Sequence, residues 1–399
     1  MNPSDRFIRN PRVALAPAPE GYLAYDIDTC QLHRLNPAAA LIVELSDGTR
    51  SATEVSEAVA GHLAEGRVGD CLQWMAGAVT DRLLVQVEGD PPPPGPPPIE
   101  CAELAGDLRG EGHVLAAFVC QHYATMSLGD DPEQWEALAE LAHIVGRREE
   151  AHEAYERYAA LAPGDAEVEQ ILVALRDDPP PPRAPDRCIV QLYARFAEFY
   201  ERNMCADLEY QAPAWLGEAL DAELDVAADL DVFELGCGTG LAAPHLRRRA
   251  RRLVGVDLSP QMVERARSTG LYDQLDVAEI TEWLSRANAR DADLIAACDT
   301  FMYFGDLRQV LLPAARRLRA GGRLVFTVER DAGSSFRLTD SGRYAHSEAH
   351  IRLAASDAGL RIVTLNERLL RYEYGNAVMG LVALLDGSKR GVSPASPTQ

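Results

Sequence analysis

Two hydrophobic periods alternate along this chain, and the places where one gives way to the other mark its parts. From residue 229 onward, short apolar runs alternate with helical patterns. Val232-Phe233-Glu234-Leu235 reads as a strand entered from Asp229-Leu230-Asp231, with a helix expected over 241–249. Leu253-Val254-Gly255-Val256 is a second strand, and Ser259-Pro260 supplies an N-cap and first-turn proline for a helix over 261–267. Further strands are expected over 275–280, 293–299 and 324–328, with helices over 310–318 and 348–358. Two last strands, near 361–366 and 378–385, read as a hairpin. This βαβα order predicts a mainly parallel sheet with an antiparallel edge.

The first ninety residues follow a different pattern. Strands are expected over 13–16, 22–26 and 31–35, after which Asn36-Pro37 caps a helix running to Leu45. Asp47-Gly48 turns the chain, Ser51-Ala52-Thr53-Glu54 has the capping-box form, and a third helix spans about 68–84. Two proline runs, Pro91 to Pro98 interrupted by Gly95 and Pro179 to Pro182 extended by Arg183-Ala184-Pro185, read as semi-rigid spacers. The first would hold its neighbours roughly 25 Å apart if fully extended. The expected division is therefore 1–90, a linker over 91–99, helices over 100–177, a linker over 178–186, a catalytic domain over 187–388 and a flexible tail over 389–399.

Composition narrows the class. Apolar residues make up 47% and charged residues 25% of the 399 positions, ordinary for a globular protein with room for two or three cores. The eight cysteines are scattered without a C-x-x-C pair, which speaks against a disulfide framework or a zinc site and for a cytoplasmic location. No metal is expected, and no apolar run approaches a membrane span. A net charge of −22 argues against nucleic acid as a partner. The one basic cluster, Arg247 to Arg252, falls where it would complement a helix C-terminus.

The candidate chemistry lies in Glu234-Leu235-Gly236-Cys237-Gly238-Thr239-Gly240. Glycines at alternate positions after a strand let a ligand approach the backbone, and Asp257 at the end of the next strand can accept from both hydroxyls of a ribose. The spacing is neither the dinucleotide G-x-G-x-x-G nor the triphosphate-binding G-x-x-x-x-G-K. The run resembles motif I of class I S-adenosylmethionine-dependent methyltransferases, over roughly residues 187–388.

That resemblance implies a Rossmann-like α/β domain with a mostly parallel seven-stranded sheet, S-adenosyl-L-methionine as cofactor and S-adenosyl-L-homocysteine as product. It implies roles residue by residue. Glu234 would orient the loop and the donor's amino group, and Gly236, Cys237, Gly238 and Gly240 would form the loop. Asp257 would hold the ribose, with Leu258 beside it. Glu279 would take the adenine amino group, with Asp276 as a rival, and Ile280 would supply apolar contact. Asp299 would sit where donor and acceptor meet. Tyr303 and His346 are candidates for a base or for positioning the acceptor. The segment over 190–203 resembles a helical lid, although Phe199-Tyr200 stands where relatives carry Phe-Asp.

Three further resemblances shape the functional expectation. Tyr303 to Leu307, Gly342 to Ser347 and Arg371 to Gly375 are similar to a tetratricopeptide-fused methyltransferase group. Trp135, Leu138, Ala139, Gly146, Ala151, Tyr155 and Pro163 fall at positions of the roughly 34-residue tetratricopeptide period. Leu104, Ala105, Gly112, Ala117 and Ala124 form a weaker copy, a helix over 166–175 would cap the stack, and the repeat helices would offer a surface to a protein partner. Leu35 to Ala40 and Leu45 to Ser51 resemble the PqqD-like peptide chaperones, small winged-helix-like α+β domains that take up a leader peptide as an added strand. Gln31, Leu32, His33, Arg34 and Leu35 would be that edge.

Together these imply a leader-guided methyltransferase of ribosomally made precursor peptides. The alternatives are a methyltransferase of a small-molecule or carrier-bound acyl substrate and a non-catalytic donor-binding scaffold.

Overall fold

The computed structural model describes residues 2, 4–60, 68–89, 95–196, 200–202, 204, 208–225, 229–286, 291–373 and 375–387. Pro91 to Pro94, Phe199, Asn203, Tyr374 and the tail over 389–399 lie outside the described residues. The chain forms two compact units, Met1–Pro163 and Gly164–Gln399.

In the first unit, β2 (Val13–Ala18), β3 (Gly21–Asp26) and β4 (Gln31–Leu35) form an antiparallel sheet in that order, in the expected places. A second small sheet, β5 (Asp47–Ser51), β1 (Arg6–Arg9) and β6 (Leu84–Gln86), is an addition to the expectation. Helices α1 (Pro37–Leu45), α2 (Ala52–Ala60) and α3 (Val68–Thr80) cover one face. Asn36 caps α1 by accepting from Ala39 N at 2.9 Å, and Ser51 and Glu54 bond reciprocally as a capping box. Ala24, Leu35, Ile42, Val55 and Met75 meet in this core, where each fully buried large apolar side chain contributes roughly 1.5–3 kcal/mol.

Helices α4 (Pro98–Gly110), α5 (Val114–Leu128), α6 (Pro132–Ile144) and α7 (Arg148–Leu161) make two packed helical pairs. Leu23, Tyr25, Ala14 and Ala16 alternate with the residues of the first core, and α5 packs on β2 and β3. The Arg12 guanidinium also meets the Glu100 carboxylate at 2.6 Å. The expected independence of the two sides of the first proline run is thus replaced by one shared body, because β2 and β3 are apolar on both faces.

The second unit opens with α8 (Ala166–Leu175), where Ala174 packs with Leu338 and Tyr344. The helix expected to cap the repeats therefore belongs to the other unit. α9 (Asp186–Phe196), the short α10 (Tyr200–Arg202) and α11 (Ala212–Glu223) precede β7 (Leu230–Leu235), α12 (Ala243–Arg247), β8 (Ala250–Asp257), α13 (Pro260–Ser268), β9 (Gln274–Val277) and α14 (Ile280–Ser285). Then come β10 (Ala292–Ala297), α15 (Arg308–Arg317), β11 (Leu318–Arg330), β12 (Phe336–Leu338), β13 (Tyr344–His346), α16 (Glu348–Asp357), β14 (Leu360–Glu373) and β15 (Asn376–Gly387).

Among the described residues the sheet has nine strands where seven were expected, since β12 and β13 join at the end of β11. Strands β9, β8, β7, β10 and β11 run parallel, and the hairpin β14–β15 adds antiparallel to β11. Both faces are covered. Phe233, Leu235 and Val254 face Trp283, Phe301 and Ile351, while Val232, Leu253 and Leu294 face Leu216, Leu220 and Leu246.

Strand order reverses between β7 and β10, which opens a crevice at their carboxyl ends. Helix α12 is shorter than expected, with Arg247 in its last turn and Arg248 at its C-cap. Arg247 pairs with Asp273, Arg248 and the buried Arg249 with Asp221, and Arg251 with Asp231.

Candidate functional site

The crevice is built on the turn after β7. Gly236 has φ +65° and a Cβ there would come within 2.3 Å of the Thr300 hydroxyl, so only glycine fits. Gly238 has φ +54° and nothing within 4 Å, so its missing Cβ leaves open space on the cleft side. Cys237 is buried behind the loop, its backbone N–H donating to Val256 O at 3.0 Å. Gly240 closes the turn, donating to Cys237 O at 2.9 Å.

Asp257 ends β8 with its carboxylate under this loop. Oδ2 accepts from Gly238 N at 2.8 Å and Oδ1 from Ser259 N at 2.9 Å, which leaves a lone pair on each oxygen for a diol. Burial pushes its titration up despite these donors. Glu234 is 2% exposed and accepts from the Tyr272 hydroxyl at 2.7 Å. Burial, with Asp257 nearby, pushes Glu234 up to about 8.

Asp257, Leu258, Glu279, Ile280, Asp299 and Tyr303 all line one cleft with Gly236 and Gly238. Glu279 is the N-cap of α14, its Oε2 accepting from Glu282 N at 2.8 Å. Asp276 is not among the lining residues. It accepts from the Trp283 indole at 2.7 Å.

Asp299 sits at φ +46° at the end of β10 and is tied into a buried charge cluster. Thr327 donates to Oδ1 at 2.6 Å and Arg371 to Oδ2 at 2.9 Å. Arg371 also pairs with Glu329 and with Glu373 at 2.7 Å, and Arg343 bonds Glu329 at 2.8 Å and Glu373 at 2.7 Å. Burial opposes the ionised form of Glu329, yet the two guanidinium groups hold it below its usual range.

The candidate base residues separate. Tyr303 lines the cleft, and its hydroxyl meets that of Tyr193 at 2.8 Å. Burial pushes Tyr303 well above the usual phenol range, which favours its protonated form. His346 is fully buried and does not line the cleft. Its Nε2 lies 2.7 Å from Phe304 O and 3.1 Å from Gly305 O, so it donates there, and burial pushes it down to about 4. The expectation of a catalytic His346 is corrected: it is a neutral anchor for the loop that carries Tyr303.

Tyr272, Arg183, Tyr193 and Arg371 are site residues that motif reasoning misses. Tyr272 and Arg371 reach the site from distant parts of the sequence. Arg183 was hidden in a run whose prolines read as a spacer, and its lone charge was the available signal. Among the described residues, no group of three His, Cys, Asp or Glu side chains could hold a metal ion. No described helix is long and apolar enough to cross a membrane.

Residues 233–326, from β7 to β11, match the family model described as a methyltransferase domain. The second unit carries a methyltransferase domain. Its cofactor is S-adenosylmethionine, and the cleft offers it an acid with lone pairs for a ribose and a loop open to close approach, while the buried Glu234 lies beside the lining residues rather than among them.

Similar proteins include the ubiquinone biosynthesis O-methyltransferase of Xanthomonas oryzae pv. oryzae, 26% identical over 31% of this chain and 52% of that protein. The malonyl-[acyl-carrier protein] O-methyltransferase of Acetivibrio thermocellus is 28% identical over 36% of this chain and 50% of that protein. The chain thus spans about half the length of these curated relatives. A solved S-adenosylmethionine-dependent methyltransferase from Mesorhizobium loti aligns at 22% identity and TM-score 0.36, covering 44% of this chain and 98% of that one.

Proposed function

We propose that this protein is an S-adenosylmethionine-dependent methyltransferase that acts on a ribosomally made peptide captured through its leader by the first unit. The donor supplies a methyl group activated on a sulfonium. Glu234 accepts from the donor's ammonium, Asp257 from the ribose and Glu279 from the adenine amino group. Tyr193, Tyr200 and Tyr303 wall the acceptor side and exclude water. Alignment and water exclusion supply much of the rate of an in-line displacement, so a protonated Tyr303 is compatible with turnover. The acceptor would be a side-chain oxygen or nitrogen, or a carboxylate.

The observation that carries the peptide reading is the free edge of β4. Among the described strands β4 pairs only with β3, and a groove of about 560 Å³ runs between β4 and α3. His33, Leu35, Trp74 and Asp81 line it, and His33 Nε2 is buried there without a hydrogen-bond partner. An extended segment laid along β4 would gain main-chain hydrogen bonds and place alternate side chains in the groove. Covalent tethering of the two units would then raise the effective concentration of the peptide's core at the cleft.

A second reading, a small-molecule or carrier-bound acceptor, draws on the names of the relatives. Their match covers 31% and 36% of this chain and about half of each relative. The test is fluorescence anisotropy with a labelled leader from a short precursor gene adjacent to this one. Leu32→Pro or His33→Pro should weaken binding by removing an edge donor. Unchanged affinity in both variants, with the unit still folded, would contradict the peptide reading at this edge.

A further inference from the structure

The second proline run docks on the loop that carries Tyr303 and Phe304 to the donor cleft. Pro181 O accepts from the Tyr344 hydroxyl at 2.6 Å, and Pro182 O accepts from Gly305 N at 2.9 Å and Asp306 N at 3.3 Å. Ala184 N donates to Tyr303 O at 2.8 Å, and Arg183 forms an antiparallel bridge with Phe304. Prolines suit such a strap, since they present carbonyl acceptors while leaving no N–H unsatisfied. The expected linker over 178–186 is therefore a strap along the loop that follows β10.

The strap brings one charged side chain to the cleft. Arg183 Nη1 lies 2.6 Å from Asp186 Oδ1 and 3.7 Å from Glu279 Oε1, and Arg183 lines the cleft with Glu279 and Ile280. Glu279 is nearly buried, and its Oε2 is taken by Glu282 N and the Thr281 hydroxyl. Oε1 is thus the oxygen left to a ligand, and Arg183 is the cation beside it.

We propose that Arg183 is a donor-positioning residue that holds the Glu279 carboxylate turned toward the adenine edge, so that the strap sets selectivity for a 6-amino purine. The inference rests on the donor reading above. A charged Oε1 accepts from an exocyclic amino group and repels the carbonyl oxygen that replaces it in hypoxanthine. An exposed pair at this distance would be worth little, but Glu279 is buried, so its attraction to Arg183 is screened less by solvent.

The test uses the full chain and two ligands, S-adenosylhomocysteine and S-inosylhomocysteine, titrated by calorimetry. The wild type should prefer the adenine ligand by about tenfold or more. Arg183→Ala should lose about tenfold for S-adenosylhomocysteine while S-inosylhomocysteine changes little, so that discrimination collapses, and Arg183→Lys should keep part of it. Equal weakening of both ligands, which a loosened strap would produce, overturns the proposal, as does no change in either. Failure of the wild type to bind S-adenosylhomocysteine would overturn the donor reading itself, and this inference with it.

Discussion

Tyr272 donates its phenolic hydrogen to Glu234 Oε2 at 2.7 Å, joining the loop before β9 to the last turn of β7 beneath the glycine loop. The pair holds a buried carboxylate behind the glycine loop, beside the residues that line the donor cleft. That carboxylate is held by a neutral donor, and burial makes its charge costly until an ammonium arrives.

The pH dependence follows from that cost. Glu234 is raised from an ordinary 4.5 to about 8, so in the free protein its contribution to stability is complete below the ordinary value and is lost as pH rises through about 8. Thermal melting of the unliganded protein should fall across this window, and Glu234→Gln should flatten the profile. Affinity for S-adenosylhomocysteine should rise over the same window as the carboxylate ionises. A melting profile identical in wild type and Glu234→Gln would contradict this account.

Arg371 should be the most costly side chain to remove near the cleft. Its loss leaves Asp299 and Glu329 buried without their shared cation, and breaking a buried pair in this way costs about 3–5 kcal/mol. Chemical denaturation of Arg371→Ala should show a loss of that size, and adding Asp299→Asn should recover part of it. Destabilisation under about 1 kcal/mol would mean that water reaches the cluster.

What was legible in the sequence was what is local. Gly236, Gly238 and Asp257 are recognisable because the turn, the close approach and the acid at the next strand's end are constraints along a short stretch. Strands β2 to β4 and the hairpin β14–β15 follow from alternation and turns. The Tyr272–Glu234 bond spans 38 residues and the Arg371–Asp299 pair spans 72, and no periodicity encodes either. Strands β1, β5 and β6 are short and find their pattern only in pairing with one another. The packing of α5 on β2 was hidden because alternation shows that a face is apolar, not what will cover it.

His346 gives a prediction of opposite sign. Its titration is lowered from 6.5 to about 4, so its contribution is present above the unfolded value and is lost as pH falls through about 4. His346→Ala should cost about 2–4 kcal/mol by leaving a cavity and two carbonyls without their donor. The pH–rate profile below about 6.5, where a general base at this position would give an acidic limb, should keep its shape in a residual-activity assay. An acidic limb that vanishes in this variant would restore His346 as a catalytic group.

The unit boundary gives another. A chain beginning at Gly164 keeps α8, the proline strap and the whole nine-stranded sheet, so it should fold and bind S-adenosylhomocysteine as the full chain does. Cutting instead at residue 99 would strip α5 of the strands it covers. Aggregation or a lower melting temperature of the residue-100 chain, beside a well-behaved residue-164 chain, is the expected outcome. The reverse order would contradict the division.

The central claim, a donor site formed by Glu234, the glycine loop and Asp257, is tested most directly by calorimetric titration of S-adenosylhomocysteine into the full chain. The account predicts a Kd on the order of micromolar, at least about tenfold weaker in Asp257→Ala, with Gly238→Val abolishing binding because its side chain would occupy the open space beside the loop. ATP and NAD should give no heat, since the turn lacks their phosphate-binding spacings. No binding to the wild type, or equal binding by Asp257→Ala and Gly238→Val, would contradict the claim.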